Sequence, residues 1–128
     1  MSTPDTNTST NTSIMSASAV EGVEVRNMEG QELGEIKDVK LDLESGYIVY
    51  AVLAFEEGFL GLDKKLFPIP WKSLKRDEGS FCFFLDIPKS VLEEAPGYDE
   101  DDLSRMLDRT FINEVYGHYG YEPLYILV

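Results

Sequence analysis

The side chains that most often perform chemistry are scarce here and stand apart from one another. His118 is the only histidine and Cys82 the only cysteine. A nucleophile activated by imidazole needs the two groups side by side and a third to orient the ring. No partner lies at motif spacing, since His118 stands between Gly117 and Tyr119 and Cys82 between Phe81 and Phe83. The expectation is a structural histidine near a helix end and a buried, inert thiol. The acidic run Asp99 to Asp102 alternates like the start of a calcium loop. Its sixth position is Ser104 instead of Gly and its twelfth is Thr110 instead of Glu, which removes the sharp turn and the bidentate ligand that such a loop requires. Helix capping accounts for the run better. Glu56-Glu57 and the Asp38/Asp42 pair offer carboxylates to a cation, but carboxylates beside turns ordinarily solvate a loop. Lys72, Lys75 and Arg76 follow Trp71 as a small basic cluster, too small for a polyelectrolyte effect and read as a solvated loop. No catalytic residue, metal ligand or cofactor site is assigned, and the chain is expected not to be an enzyme.

The composition narrows the remaining classes. The chain has 128 residues, enough for one domain with appendages. It carries 24 acidic and 11 basic residues, a net charge of −13, and such a field repels phosphate backbones, so nucleic-acid partners are not expected. Apolar residues make up 43% of the chain, which is globular and not disordered composition. A single cysteine suits a reducing compartment, and a cytoplasmic location is expected. The longest apolar run, Tyr47 to Phe55, is nine residues, about half of the ~20 that a membrane-spanning helix requires.

Residues 1–19 are nearly all Ser, Thr, Asn, Ala and Asp and read as a disordered leader with neither a secretory nor a transit pattern. The two glycosylation sequons within it, at Asn7 and Asn11, are read as chance. Residues 20–88 then show short strands separated by turn residues. Glu21 to Arg26 forms the first, and Asn27-Met28-Glu29-Gly30 a tight turn with Gly30 at positive φ. In the second, Leu33 to Asp42, the alternation changes parity between Ile36 and Val39, which predicts a bulge near Lys37 and Asp38. Leu43-Glu44-Ser45-Gly46 is the next turn. Tyr47 to Phe55 is apolar on both faces, so both must be covered. Glu56 to Lys65 is a loop, Leu66 to Pro70 a short strand ending at a cis-capable proline, Lys72 to Glu78 a polar connection, and Ser80 to Ile87 the last strand. Five to six such strands without a long intervening helix predict a mainly β fold, a small closed antiparallel barrel.

Residues 89–128 switch to a short C-terminal α-helical extension. Pro88 suits a first helical position, Lys89 to Ala95 gives one or two turns, and Pro96-Gly97 stops them. Asp99 caps a second helix running from Asp101 toward Tyr116, with Leu103, Met106, Leu107, Phe111 and Val115 as its buried stripe and Ile112 and Tyr116 widening it.

In their order, Gly22-Val23, Asn27 and Gly30, Leu33-Gly34-Glu35-Ile36, Asp38-Val39, Leu41-Asp42 with Gly46, Tyr50-Ala51-Val52-Leu53 and Ile69-Pro70-Trp71 resemble the PRC-barrel domain. That family is named for the cytoplasmic domain of the photosynthetic reaction centre H subunit. Leu92 to Asp99 and Tyr116 to Gly120 are similar to the helical extension of its free-standing members, so the resemblance covers about residues 20–123. It implies an adaptor barrel without a shared active site. Because the strands are apolar on both faces, the barrel's exterior must be covered in part by the C-terminal helices and otherwise by a second copy or another protein, so a protein partner or a homodimer is expected, with no membrane insertion. Trp71, Phe111, Tyr116, Tyr119 and Tyr121 are the candidate interface residues. Trp71 is read first as barrel wall and only second as an anchor. The alternative is a carrier of a quinone- or pigment-like ligand, held in an aromatic cleft of Trp71, Tyr116, Tyr119, Tyr121 and Tyr125.

Overall fold

The computed structural model describes residues 14–55, 65–77, 79, 81–99 and 101–127. Most of the expected leader, both sequons, Glu56-Glu57 and most of the loop before the fourth strand lie outside these residues. A helical turn, α1 (Ala17–Val20), precedes the sheet, and its Val20 is buried in the core. The end of the expected leader is therefore part of the fold.

Seven strands form one curled half-barrel sheet. They are β1 (Glu24–Arg26), β2 (Glu32–Leu41), β3 (Ile48–Phe55), β4 (Lys65–Pro70), β5 (Leu74–Arg76), β6 (Cys82–Leu85) and β7 (Tyr98–Asp99). Their order across the sheet is β5-β6-β1-β2-β3-β4-β7. The curl follows from one short connection. Only the 3₁₀ turn Trp71–Ser73 links β4 to β5, a reach of about 14 Å, yet a flat sheet would hold these strands about 24 Å apart. The sheet must bend to bring them together.

Two features depart from an all-antiparallel closed cylinder of five to six strands. β1 pairs in parallel with β6, because β6 returns from its hairpin with β5 to the free edge of β1. Among the described residues no pairing joins β5 to β7, the two ends of the order. The additional strands are short: β5 lies within the expected polar connection, and β7 takes up Asp99, which pairs opposite Lys65 instead of capping a helix. The bulge in β2 lies where the parity change puts it, since the pairing with β3 skips Lys37. Gly34 faces Phe55 across that pairing, and a Cβ there would stand 2.1 Å from the Ala54 carbonyl oxygen.

Hydrophobic residues divide into two cores that share β3. Ala51 and Leu53 face the concave core with Val25, Leu33, Ile36, Ile69 and Leu85. Tyr50 and Val52 face a second core made with Tyr98, Met106 and the C-terminal helices. The C-terminal segment comprises α2 (Lys89–Glu93), α3 (Leu103–Met106) and α4 (Arg109–His118). Phe111, Ile112, Val115 and Tyr116 of α4 are buried in the second core. Both faces of β3 are thus covered within one chain.

The single helix expected over 101–116 is broken in two. The Asp108 side chain accepts the Thr110 N–H at 3.0 Å and caps α4, so a new helix starts where the apolar periodicity alone would continue the old one. The break turns Leu107, expected in the buried stripe, outward to 69% exposure. At the other end Gly120, at φ 84°, closes α4 with bonds from the Tyr121 N–H to the Tyr116 carbonyl and from the Gly120 N–H to that of Gly117. This is the left-handed cap that glycine adopts without penalty.

Candidate functional site

Several of the residues singled out for their chemistry are engaged in contacts that hold the fold. A hydrogen bond of 2.8 Å joins His118 Nε2 to the Val91 carbonyl, tying α4 to α2. Cys82 is buried in β6 with its Sγ 3.9 Å from Asp77 Oδ2. Asp38 accepts the Val39 N–H and pairs with Lys40 at 2.8 Å. Asp42 Oδ1 accepts the N–H groups of Glu44 and Ser45, which organises the β2–β3 turn. Lys72 lies over the Tyr121 ring at 4.5 Å from its centroid, a cation–π contact, while Lys75 and Arg76 are exposed on the edge strand β5. Among the described residues no three His, Cys, Asp or Glu side chains are grouped so as to hold a metal ion.

The five candidate interface residues do not share one surface. Trp71 packs edge-on against Phe83 at 5.6 Å beside the concave core. Phe111 and Tyr116 are interior residues at 3% and 4% exposure, and Tyr116 donates its hydroxyl to the Val49 carbonyl. Tyr119 lies between the two cores. Tyr121 is half-buried and takes a 3.1 Å hydrogen bond from Ser73. Trp71 packs against one core and Tyr116 lies in the other, with Tyr119 between them.

Exposed hydrophobic side chains gather elsewhere, at the outer end of the β2–β3 hairpin. Leu41 is 52% and Leu43 91% exposed, and they border a groove of about 250 Å³ with Leu107 across from them. Tyr50, Met106 and Tyr125 are also among the residues that line it. The hairpin brings Leu41 and Leu43, the helix break turns Leu107 outward, and the C-terminal tail supplies Tyr125. Asn113 holds that tail with both ends of its amide, donating to the Tyr125 carbonyl at 2.8 Å and accepting the Tyr125 N–H at 2.9 Å. Next to Tyr125 stands Ile126, 93% exposed.

A family model for the PRC-barrel domain matches residues 13–92. The chain belongs to the PRC-barrel family. No curated protein matches it. The PRC-barrel match spans β1 to β6 and ends in α2, so Leu41 and Leu43 lie within the domain while Leu107, Arg109 and Tyr125 lie beyond it. The groove is therefore the seam between the PRC-barrel and the extension packed on it.

Charged side chains rim this seam, and Asp38 already pairs with one of them, Lys40. Lys40 and Arg109 supply two positive groups and Asp42 and Glu44 two negative ones. Arg109 lies over the Tyr125 ring at 4.6 Å and reaches Glu44 at 3.9 Å. The Tyr125 hydroxyl and the Glu44 and Ser45 N–H groups hold the Asp42 carboxyl below the usual carboxylate value. Burial, together with the hydrogen bond to Asp42, raises the Tyr125 hydroxyl above the ordinary tyrosine value. A second groove of about 420 Å³ opens between the β1–β2 turn and the β6–α2 link, and none of the candidate aromatics lines it. Among the described residues no helix is long and apolar enough to cross a membrane.

Proposed function

We propose that this PRC-barrel protein is a non-catalytic docking module that binds protein through the outer end of the β2–β3 hairpin. The observation that carries the reading is the convergence of Leu41, Leu43 and Leu107, all more than half exposed, around one groove in a strongly acidic chain. Isolated exposed leucines are ordinary, whereas a contiguous apolar patch rimmed by charge marks an interaction surface. Protein suits the groove better than a carried quinone or pigment, since 250 Å³ is below the roughly 300–1,000 Å³ of sites that enclose a drug-sized molecule. The engagement of His118, Cys82, Asp38 and Asp42 in structural hydrogen bonds supports a role without bond-making. The single cysteine agrees with work in the reducing cytoplasm.

The test compares quantitative affinity capture by the wild-type chain and by the Leu43→Asp/Leu107→Asp variant, after circular dichroism has shown both folded. The reading expects proteins captured by the wild type to fall at least tenfold with the variant. An unchanged set would refute it.

A further inference from the structure

Resting on that docking reading, we infer that the groove contains a peptide-binding site which the chain's own tail fills, and that the partner is a different protein whose extended, tyrosine-bearing segment takes the tail's place. The bound tail shows how the site works. Asn113 donates to the Tyr125 carbonyl at 2.8 Å and accepts the Tyr125 N–H at 2.9 Å, so one side-chain amide grips a backbone unit that every residue except proline offers. The side chain is selected separately. Arg109 covers the Tyr125 ring at 4.6 Å, a cation–π contact, and Asp42 accepts the Tyr125 hydroxyl at 2.7 Å. Main-chain hydrogen bonds for affinity beside a pocket for one side chain is the way extended peptides are recognised.

Little else holds the tail. α4 is closed at Gly120 by its own cap, and from Glu122 to Leu127 no backbone–backbone hydrogen bond ties the chain to the fold among the described residues. Only Tyr125 is half-buried in that stretch, and its neighbours on both sides are exposed. Nor does the tail cover the leucines of the groove, since with it in place Leu41, Leu43 and Leu107 stay 52%, 91% and 69% exposed. An incoming segment that repeats the Tyr125 contacts and also lies on these leucines displaces the tail through the added apolar burial. A trade of tails between two copies replaces each contact by an identical one while association carries its own cost, and net charges of −13 repel. The segment therefore belongs to another protein.

Fluorescence anisotropy of a labelled peptide with the sequence of residues 121–128 tests this on the full chain. In the wild type the attached tail competes at an effective concentration of about 1 mM, so the peptide is expected to bind about tenfold more tightly to the Tyr125→Ala chain, whose tail has lost its anchor. Adding Asn113→Ala to that chain, or Tyr125→Phe to the peptide, is expected to weaken binding about tenfold. Circular dichroism shows which variants are folded. The Tyr125→Phe chain, which loses only a hydroxyl, is expected to shift in the same direction and replaces the alanine variant if that one is unfolded. No binding by the folded variant up to ~1 mM peptide, or binding indifferent to Asn113→Ala, overturns the site. In affinity capture, proteins that depend on Leu43 and Leu107 are expected to increase with Tyr125→Ala and to be released by the peptide. Such proteins that respond to neither would overturn the exchange and leave the docking reading intact. Peptide binding as expected, with capture indifferent to Leu43→Asp/Leu107→Asp, would refute the docking reading and with it the partner inferred here.

Discussion

The hydroxyl of Tyr125 donates a 2.7 Å hydrogen bond to Asp42 Oδ2, joining the C-terminal tail to the β2–β3 turn across 83 positions of sequence. This bond fastens one wall of the groove. The same carboxyl group shapes the hairpin turn through its other oxygen, so the hairpin end and the tail share a single anchor.

Tyr125→Phe should loosen the tail from the β2–β3 turn without detaching it from α4, because Asn113 still bonds the backbone at this position. Acid should do the same to the wild type. The Asp42 carboxyl titrates below its ordinary value, so its contribution is present above the unfolded-state value near pH ~4 and disappears as pH falls through the lower folded value. Amide exchange at Tyr125 measures both effects. Measured against the intrinsic rate at each pH, the wild type should lose protection in acid, and Tyr125→Phe should lack that acid-dependent step.

Two hydroxyl deletions should act with opposite sign. The Tyr119 hydroxyl is buried with no hydrogen-bond partner among the described residues, so Tyr119→Phe should raise stability by about 1 kcal/mol. Tyr50 donates a 2.7 Å bond to the Met106 carbonyl in the second core, so Tyr50→Phe should lower stability by about 1–2 kcal/mol. Urea unfolding of both variants beside the wild type checks the contrast, and equal effects would show that burial of the two hydroxyls has been misread.

Gly34→Ala should cost about 3 kcal/mol. The added methyl would meet the Ala54 carbonyl oxygen at 2.1 Å and Phe55 Cα at 2.8 Å, and backbone has little freedom to yield where Gly34 is paired with β1 on one side and β3 on the other. Thermal melts should show a large drop. A variant as stable as the wild type would mean that these strands are not so closely apposed.

Alkaline unfolding should be coupled to tyrosine ionisation. Burial pushes the Tyr98 and Tyr116 hydroxyls up to about 12. Their folded values exceed the unfolded value of about 10, so the stability tied to the neutral phenols is intact below pH ~10 and is lost as pH rises toward ~12. Absorbance at ~295 nm, where tyrosinate absorbs, should rise for these residues together with loss of the far-ultraviolet dichroism. Ionisation of all tyrosines near pH ~10 with the dichroism intact would contradict their burial.

Most of the β framework was readable from residue types. The parity change between Ile36 and Val39 marked the bulge at Lys37, Gly30 has the positive φ that its turn suggested, at 87°, and the two-sided apolar run in β3 separates two cores. What escaped the sequence depends on contacts distant in the chain. β5 and β7 are short strands whose residues follow no strand period and become strands only beside Leu85 and Leu66. The parallel pairing of β1 with β6 is likewise a product of the curl. The site was missed for a local reason: Leu107 fits the helical stripe, and only the Asp108 cap ends that helix early enough to expose it. Leu41 and Leu43 could have been noticed beside a charged turn, but nothing in their spacing pointed to a third leucine 64 positions beyond Leu43. The aromatic residues chosen instead are large and clustered, a pattern shared by interfaces and cores, and Phe111 and Tyr116 proved to be core.

The most direct measurement is photo-cross-linking in the living cell from a benzophenone side chain placed at Leu43, compared with one at Lys75 on the edge strand β5. A protein-docking module predicts discrete protein adducts from position 43 and few from position 75, whether the captured chain is a second copy or another protein. Adducts from position 75 with none from position 43 would contradict the account.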